Sequence, residues 1–543
     1  MMAGYADQKS QNEQEEEESD VSDKIPNETE MFSKTSAEEI ESPESMLKFI
    51  EESKGQEFTL MNSGVEGNRF VTMSNSPARS IACPGEWVRR LGYMETFMAL
   101  GGDHGTLNTI QGLWVSSTRP ILPEDVRQAL TIVAQQTDVM QLCVQWWGLW
   151  PWFRRIKGLL IPFKVEHDDV MSVYYKILRR PYEMSRGPLW RARLVPLPSR
   201  SPGRYEAVLM IAAHHCITDG LTNMVLCRET LEVLNAIMSG RQHTVSSGML
   251  MPNIAEEHVT MRDWLFALKM FCSKLYGITN YSTKLYFDGA LQQPATSLPI
   301  TKVLHKEYTV ETSQQLRQRC ETANVTVYSC TLAAAYLAML SVVQKDSKKL
   351  QSEALINGVN CFNMRPYYSQ EYEQSPGCHI SLEEHEFLVR SCDAQSKANF
   401  WCLAICLNSR LKRNFILDKT PITNSPLFST LMLHINLLLT SLGCKHCTDS
   451  HFATTNMGDL RDLLPGKYDG PVEITNLLRS VSSEIMGHPF NLSFHTFLER
   501  FMISLDYCTT NVTDEMAELF FSTLTNYITN IAHHGTVLVN PEA

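Results

Sequence analysis

Residues 206–238 read as a strand that runs straight into a helix, and this junction limits the fold more than any other stretch. Glu206–Ala213 is a nearly continuous apolar run, short enough to be a strand buried on both faces. His214-His215-Cys216-Ile217-Thr218-Asp219-Gly220 follows it directly. Beyond Gly220, the residues Leu221, Val225, Leu226 and Leu231 recur at helical spacing on the way to Met238. A buried strand needs sheet neighbours and an apolar helix face needs a sheet to cover, so the unit predicts a mixed α/β fold. The junction also carries chemistry. A strand that ends in histidine delivers an imidazole to the edge of a sheet, where a pKa of roughly 6.5 lets it accept a proton near neutral pH. Asp219, four residues on, can shape the turn or anchor an arginine. Gly220 tolerates positive φ and lets another segment approach closely.

The chain's 543 residues exceed one ordinary domain, which predicts two domain-sized halves. The expected division is an acidic tail over 1–80, a first half over 81–300 that carries the histidine motif, and a second half over 301–543. Residues 1–50 hold fourteen acidic residues and four lysines, which accounts for −10 of the chain's −12. Such a segment cannot bury enough apolar area to offset its ordering entropy, so it is expected to be disordered. The remainder is close to neutral, which removes the field that nucleic-acid binding requires.

In the first half, Leu107–Ser116 reads as a strand, and Val139–Trp146 as another. Pro123, with Glu124 and Asp125 behind it, opens a helix through Gln136. In the second half, Glu311–Glu321, Cys330–Val343, Ala394–Leu411 and Thr513–Ile531 read as helices. Ala354–Phe362, Ser493–Phe497 and Phe501–Tyr507 read as strands. No stretch is expected to span a membrane. Fifteen cysteines without a basic-then-apolar leader predict reduced thiols and a cytoplasmic location.

The seven motif residues resemble the His-His-x-x-x-Asp-Gly signature of the chloramphenicol acetyltransferase-like superfamily. That group includes peptide-synthetase condensation domains, alcohol acetyltransferases and plant BAHD acyltransferases. Other segments resemble family elements in the family's order. They are Gly187-Pro188-Leu189, Val325-Thr326-Val327 before an Ala-rich helix, Asn363-Met364-Arg365-Pro366, and Thr455-Asn456-Met457-Gly458, with Thr where the family has Ser. The alcohol acetyltransferases are the nearest match, and no Asp-Phe-Gly-Trp-Gly element of the BAHD type is present.

The resemblance implies an α/β fold of two chloramphenicol acetyltransferase-like subdomains, each of mixed sheets with helices. They would form a pseudo-dimer with an active-site tunnel between them. It implies acyl transfer from an acyl-coenzyme A thioester to an alcohol, with His215 as general base. It makes Asp219 structural, paired with an arginine for which Arg365 is the candidate, and gives His214 a supporting place. Gly220 and Arg365 then support the site, and Asn456 and Thr496 are candidates for oxyanion or substrate contact. Amide-forming N-acyl or condensation-type transfer is an alternative, as is a catalytically silent binding protein that keeps the fold.

The expected partners are acyl-coenzyme A as cosubstrate and a small hydroxyl or amine acceptor. A monomer is expected, with no bound cofactor, metal or nucleic acid. Cys444-Lys445-His446-Cys447 with His451 has metal-ligand residue types, but lacks a second matching pair to close a four-ligand shell. Trp146–Arg155 holds four of the nine tryptophans beside Arg154 and Arg155. Peripheral membrane contact is one reading of that segment. A strand and loop that cover the core or line the tunnel mouth is the other.

Overall fold

The computed structural model describes residues 83–538 apart from 103–105, 149, 200, 242–247, 252–299, 347–351, 369, 418–449, 483–487 and 510–511. The expected acidic tail, most of the connection between the halves and Cys444–Cys447 lie outside the described residues. All elements below belong to one compact unit, Arg79–Ala543.

The first half runs β1 (Cys83–Arg90), α1 (Tyr93–Leu100), β2 (Asn108–Ser117), α2 (Pro123–Gln136), β3 (Leu142–Trp147), β4 (Trp150–Lys157), β5 (Phe163–Val165), α3 (Val170–Arg179), β6 (Trp190–Leu197), β7 (Tyr205–His214) and α4 (Gly220–Met238). The second half runs β8 (Thr301–Glu307), α5 (Val310–Thr322), α6 (Val327–Asp346), β9 (Glu353–Asn363), β10 (Ile380–Arg390), α7 (Cys392–Gln395), α8 (Lys397–Leu417), β11 (Phe452–Asp459), β12 (Val472–Val481), β13 (Phe490–Phe497), β14 (Arg500–Cys508) and α9 (Asp514–His534). The fold is therefore mixed α/β, with sheet and helices in each half.

Three sheets carry these strands, in the orders β12-β2-β7-β6-β5, β10-β9-β11-β13-β14-β8 and β1-β4-β3. The histidine strand β7 is central in the first of them, paired antiparallel with β2 and β6. Eight of its ten residues are buried, as its apolar run requires. Pro123 at the start of α2 and its two acids suit the exposed N–H groups and dipole of a helix N-terminus. Val126, Leu130 and Val133 then face the first core. The second core is aromatic. Phe452, Phe490 and Phe520 are fully buried, and the Phe490 and Phe520 rings are 4.8 Å apart.

Several elements differ from the sequence reading; the helix expected over Ala394–Leu411, for one, is broken at Ser396 into α7 and α8. A 3₁₀ turn, Asp138–Gln141, takes the place of the strand expected from Val139, and pairing begins only at Leu142. Helix α6 extends past both ends expected for it, so that Val327–Lys345 is long and apolar enough to cross a bilayer. That window is 78% buried, which makes it the core helix of the second half instead.

Several strands are not named by the sequence reading, and β12 is the one that matters most for the site. β12 belongs to the second half in sequence, yet it pairs antiparallel with β2 of the first half from Val472↔Ser117 to Val481↔Thr109. A register shift between Ile474 and Asn476 breaks its alternation, so no period-2 pattern marks it. Leu477 enters the first core, while the Val481 amide donates to Asp506 of β14 at 2.9 Å. β12 thus binds the two halves to each other. Leu477→Ala is expected to cost about 2–5 kcal/mol, as for any fully buried leucine. Urea unfolding checks this, and a loss below about 1 kcal/mol would contradict the placement.

Candidate active site

β7 ends at His214, and the chain then turns tightly. The His215 amide donates to Leu107 O at 3.0 Å, and the Ile217 and Thr218 amides donate back to His214 O and His215 O at 3.1 and 3.4 Å. Asp219 caps α4, with its Oδ1 accepting from the Thr222 amide at 2.8 Å. Gly220 is the first residue of that helix. A Cβ there would meet Met457 Sδ at 2.4 Å and Arg479 Nη2 at 3.4 Å, so the absence of a side chain lets two second-half segments close over the turn.

The paired histidines have different surroundings. His214 is fully buried, edge-on to Tyr182 at 6.0 Å, with its Nδ1 accepting from the Cys216 amide at 3.2 Å. Burial first, and then its neighbour His215, push its pKa down to about 3, so it is neutral throughout the physiological range. His215 is only partly buried. Its pKa is also lowered, first by burial and to a lesser degree by Arg479, against the opposing pull of backbone carbonyls and Asp219. Its Nδ1 lies 3.7 Å from Cys378 Sγ. Burial, Asp219 and Glu95 push that thiol well up, so it faces the ring as S–H and not as thiolate.

Asp219 points away from this ring and into the second half. Arg365 Nη1 donates to Asp219 Oδ2 at 2.7 Å, and Nη2 to Oδ1 at 3.3 Å; both side chains are 2% exposed. The guanidinium is saturated by its other contacts. Nη2 donates to Thr222 Oγ1 at 2.8 Å, Nε to Ser375 O at 3.0 Å and Nη1 to Asn363 Oδ1 at 3.2 Å. The carboxylate accepts a further bond from the His379 amide at 2.9 Å. Thr222 completes the lock, donating to Gly377 O at 3.0 Å and accepting from Gly377 N at 3.1 Å. Burial raises the Asp219 pKa, but Arg365, His379 and these hydrogen bonds outweigh it and bring it to about 2.

The remaining sequence candidates stand apart from this cluster. Asn456 is exposed, and its Oδ1 accepts from its own turn at Gly458 N, 3.0 Å away. Thr496 is half-buried, and its described bond is a backbone one, accepted from Leu460 N at 2.9 Å. Neither side chain has a described contact with His215. His451 accepts the Asn357 amide at 3.1 Å, and among the described residues no group of three metal-ligating side chains forms.

Arg479 on β12 is the residue that sequence reasoning missed. It is 6% exposed, and its Nε and Nη1 have no hydrogen-bond partner among the described residues. Gln111 Oε1, opposite it in the β2–β12 ladder, and both ring nitrogens of buried His495 are also without one. Burial lowers the guanidinium to about 10, with Tyr174 and Asp506 opposing, so it stays charged at neutral pH. A buried cation with vacant donors costs several kcal/mol, which marks the position as more than packing. Its strand carries no motif, so only the three-dimensional placement brings it to the site.

The family profile described as alcohol acetyltransferase matches residues 163–496. Polyketide synthase PksN of Bacillus subtilis (strain 168) is 25% identical over 130 residues, 23% of this chain; the chain spans 2% of that relative's length. The structure of the TRI3 trichothecene 15-O-acetyltransferase from Fusarium sporotrichioides superposes with TM-score 0.64 at 11% identity, covering 83% of this chain and 97% of that one. The condensation domain of the Monacolin K polyketide synthase MokA gives 0.55 at 13% identity, over 82% and 98%. The starter condensation domain of rhizomide synthetase RzmA, in complex with C8-CoA, gives 0.52 at 12%, over 82% and 95%. At these identities the likeness is one of fold.

Two outcomes follow from the site's electrostatics. Asp219→Asn leaves Arg365 buried without its counter-charge and is expected to cost about 3–5 kcal/mol in urea unfolding at neutral pH. Because the folded carboxyl sits below its ordinary 3.8, its contribution is complete above that value and is lost as pH falls through about 2. The wild type is therefore expected to lose more stability than the variant across that window. Arg479→Gln removes a positive charge that disfavours the imidazolium, so the His215 pKa is expected to rise. An NMR titration of the imidazole checks this, and an unmoved midpoint would contradict the electrostatic contact between Arg479 and His215.

Proposed function

The chain belongs to the alcohol acetyltransferase family, and from that premise we propose that it transfers an acyl group from an acyl-coenzyme A thioester to an alcohol, with His215 as general base. The observation that carries this reading is the split within the histidine pair. One ring is sealed and neutral, while the next is partly exposed and biased toward its neutral form at the seam between the halves. A neutral imidazole at that place can accept a proton at physiological pH.

In the proposed step the acceptor oxygen attacks the thioester carbonyl carbon while His215 takes the hydroxyl proton. Collapse of the tetrahedral intermediate breaks the C–S bond, and the same proton passes to the leaving thiolate. Arg479, charged and with vacant donors, is the group we assign to the negative charge on the intermediate's oxygen. Asp219 and Arg365 are positioning residues. The fold shared with a structure holding C8-CoA supports a thioester donor, and the fold shared with an O-acetyltransferase supports an oxygen acceptor. The raised pKa of Cys378 favours direct attack over an acyl-cysteine intermediate.

Release of free thiol from a panel of acyl-coenzyme A donors, with alcohols and amines as acceptors, tests the reading. His215→Ala is expected to lose about 10²–10⁴ in kcat. Arg479→Gln is expected to lose about 10²–10³, the usual size of an oxyanion contact. Cys378→Ser is expected to retain activity, with no burst of thiol release. Equal rates for wild type and His215→Ala would point instead to a silent binding protein. Turnover with amines alone would make the chain an N-acyltransferase.

A further inference from the structure

Gln111, Arg479 and His495 are 2%, 6% and 1% exposed. Gln111 Oε1, Arg479 Nε and Nη1, and both ring nitrogens of His495 have no hydrogen-bond partner among the described residues. Gln111 and Arg479 face each other across the β2–β12 ladder. Alternation puts them on the same side as Leu113, Val115 and Leu477, which are buried in the first core. Their polar neighbour on that side is satisfied. Thr109 Oγ1 donates to Ala213 O at 2.9 Å and accepts from Asn223 Nδ2 at 3.2 Å. Arg479 Nη2 comes within 3.4 Å of a Cβ position at Gly220, so the group borders the turn that carries His215.

His495 approaches from the second half. It lies opposite Met502 in the β13–β14 ladder and alternates with Phe497, and both of those residues are buried in the first core. Its face of the sheet is therefore the one turned toward the first half. Val481, two residues on from Arg479, donates to Asp506 on that same face of β14. Burial, and after it Arg479 and His305, hold the His495 ring far below the ordinary imidazole range, so it is neutral.

The chemistry of these groups defines what would satisfy them. An amide oxygen only accepts, a guanidinium N–H only donates, and a neutral imidazole does one of each. A hydroxyl matches that set, because its O–H can donate to Gln111 while its oxygen accepts from the His495 ring or from Arg479. A ketone or ether oxygen has nothing to offer Gln111. We propose that Gln111 and His495 bind a second hydroxyl of the acceptor, so that the preferred substrate is a diol or polyol and not a simple alcohol. The inference rests on the acyl-transfer reading, with the first hydroxyl at His215 and Arg479 at the carbonyl oxygen. Gln111 and His495 then act on specificity, because an acceptor without the second hydroxyl leaves them buried and unpaired.

Thiol release with a graded series of alkanediols, and with the monohydric alkanols of the same lengths, tests it. At the separation that fits, the diol is expected to exceed its monohydric partner about ten- to a hundredfold in kcat/KM. Gln111→Met and His495→Leu remove the polar atoms with modest change of volume, and each is expected to shrink that ratio about tenfold. Loss of folded protein slows both acceptors alike and cancels in the ratio. The diol without donor is also expected to shift the imidazole NMR signals of His495, which are identified by their loss in His495→Leu. Ratios near one at every length, or a ratio that neither variant changes, would overturn the proposal and make the groups a site for water only. The absence of thiol release from every acceptor, with the His495 signals still shifted by diol, would sink the acyl-transfer reading and support the hydroxyl site. Neither release nor shift would sink both.

Discussion

Asp219 and Arg365 are 146 residues apart in the chain and meet in the interior through two hydrogen bonds. Neither could stay there alone, because an unpaired charge in that environment is worth several kcal/mol against folding. The pair also fixes direction. The carboxylate caps the helix that follows the histidine turn and at the same time grips the second half through Arg365 and the His379 amide. The turn bearing His215 is thereby tied at one end to the sheet, through Leu107, and at the other to both halves. Such a clamp fixes where the His215 ring sits relative to both halves.

Burial separates two adjacent and chemically identical rings. His214 ends the strand inside the first core, with its pKa down to about 3, and supports the backbone of the turn. His215, one residue on, leaves the sheet and remains partly exposed. The end of the buried strand, and not alternation along it, therefore supplies the asymmetry between the two rings.

The amount that could be read in advance follows from how local each signal is. The β7–turn–α4 unit, α2 and α9 are written in consecutive residues, with apolar period, proline, acids and caps together, and their limits are within a residue or three of those expected. The Asn363-Met364-Arg365 segment was visible because it resembles a family element, and the structure puts its arginine on Asp219. Arg479 had no such signal. Its strand is bulged, lacks a period, and joins a sheet whose other members lie hundreds of residues away in sequence. Asn456 stands in a segment that resembles a family element, while Thr496 is a candidate only as a polar residue near a strand end. A polar residue near a strand end has its own backbone to satisfy first, as Asn456 does at Gly458. Cys378 is legible only in three dimensions, since nothing in its neighbours marks it as the group that faces the His215 ring.

The account makes the ion pair a single positioning device for His215 and not two separate contributors. A double-mutant cycle on kcat tests that claim most directly, using Asp219→Ala, Arg365→Ala and the double variant with acyl-coenzyme A and an alcohol. If the two residues act as one clasp, each single change removes the whole effect and the double is no slower than the worse single. Losses that multiply in the double variant would mean that the two act independently, and the positioning account would fail.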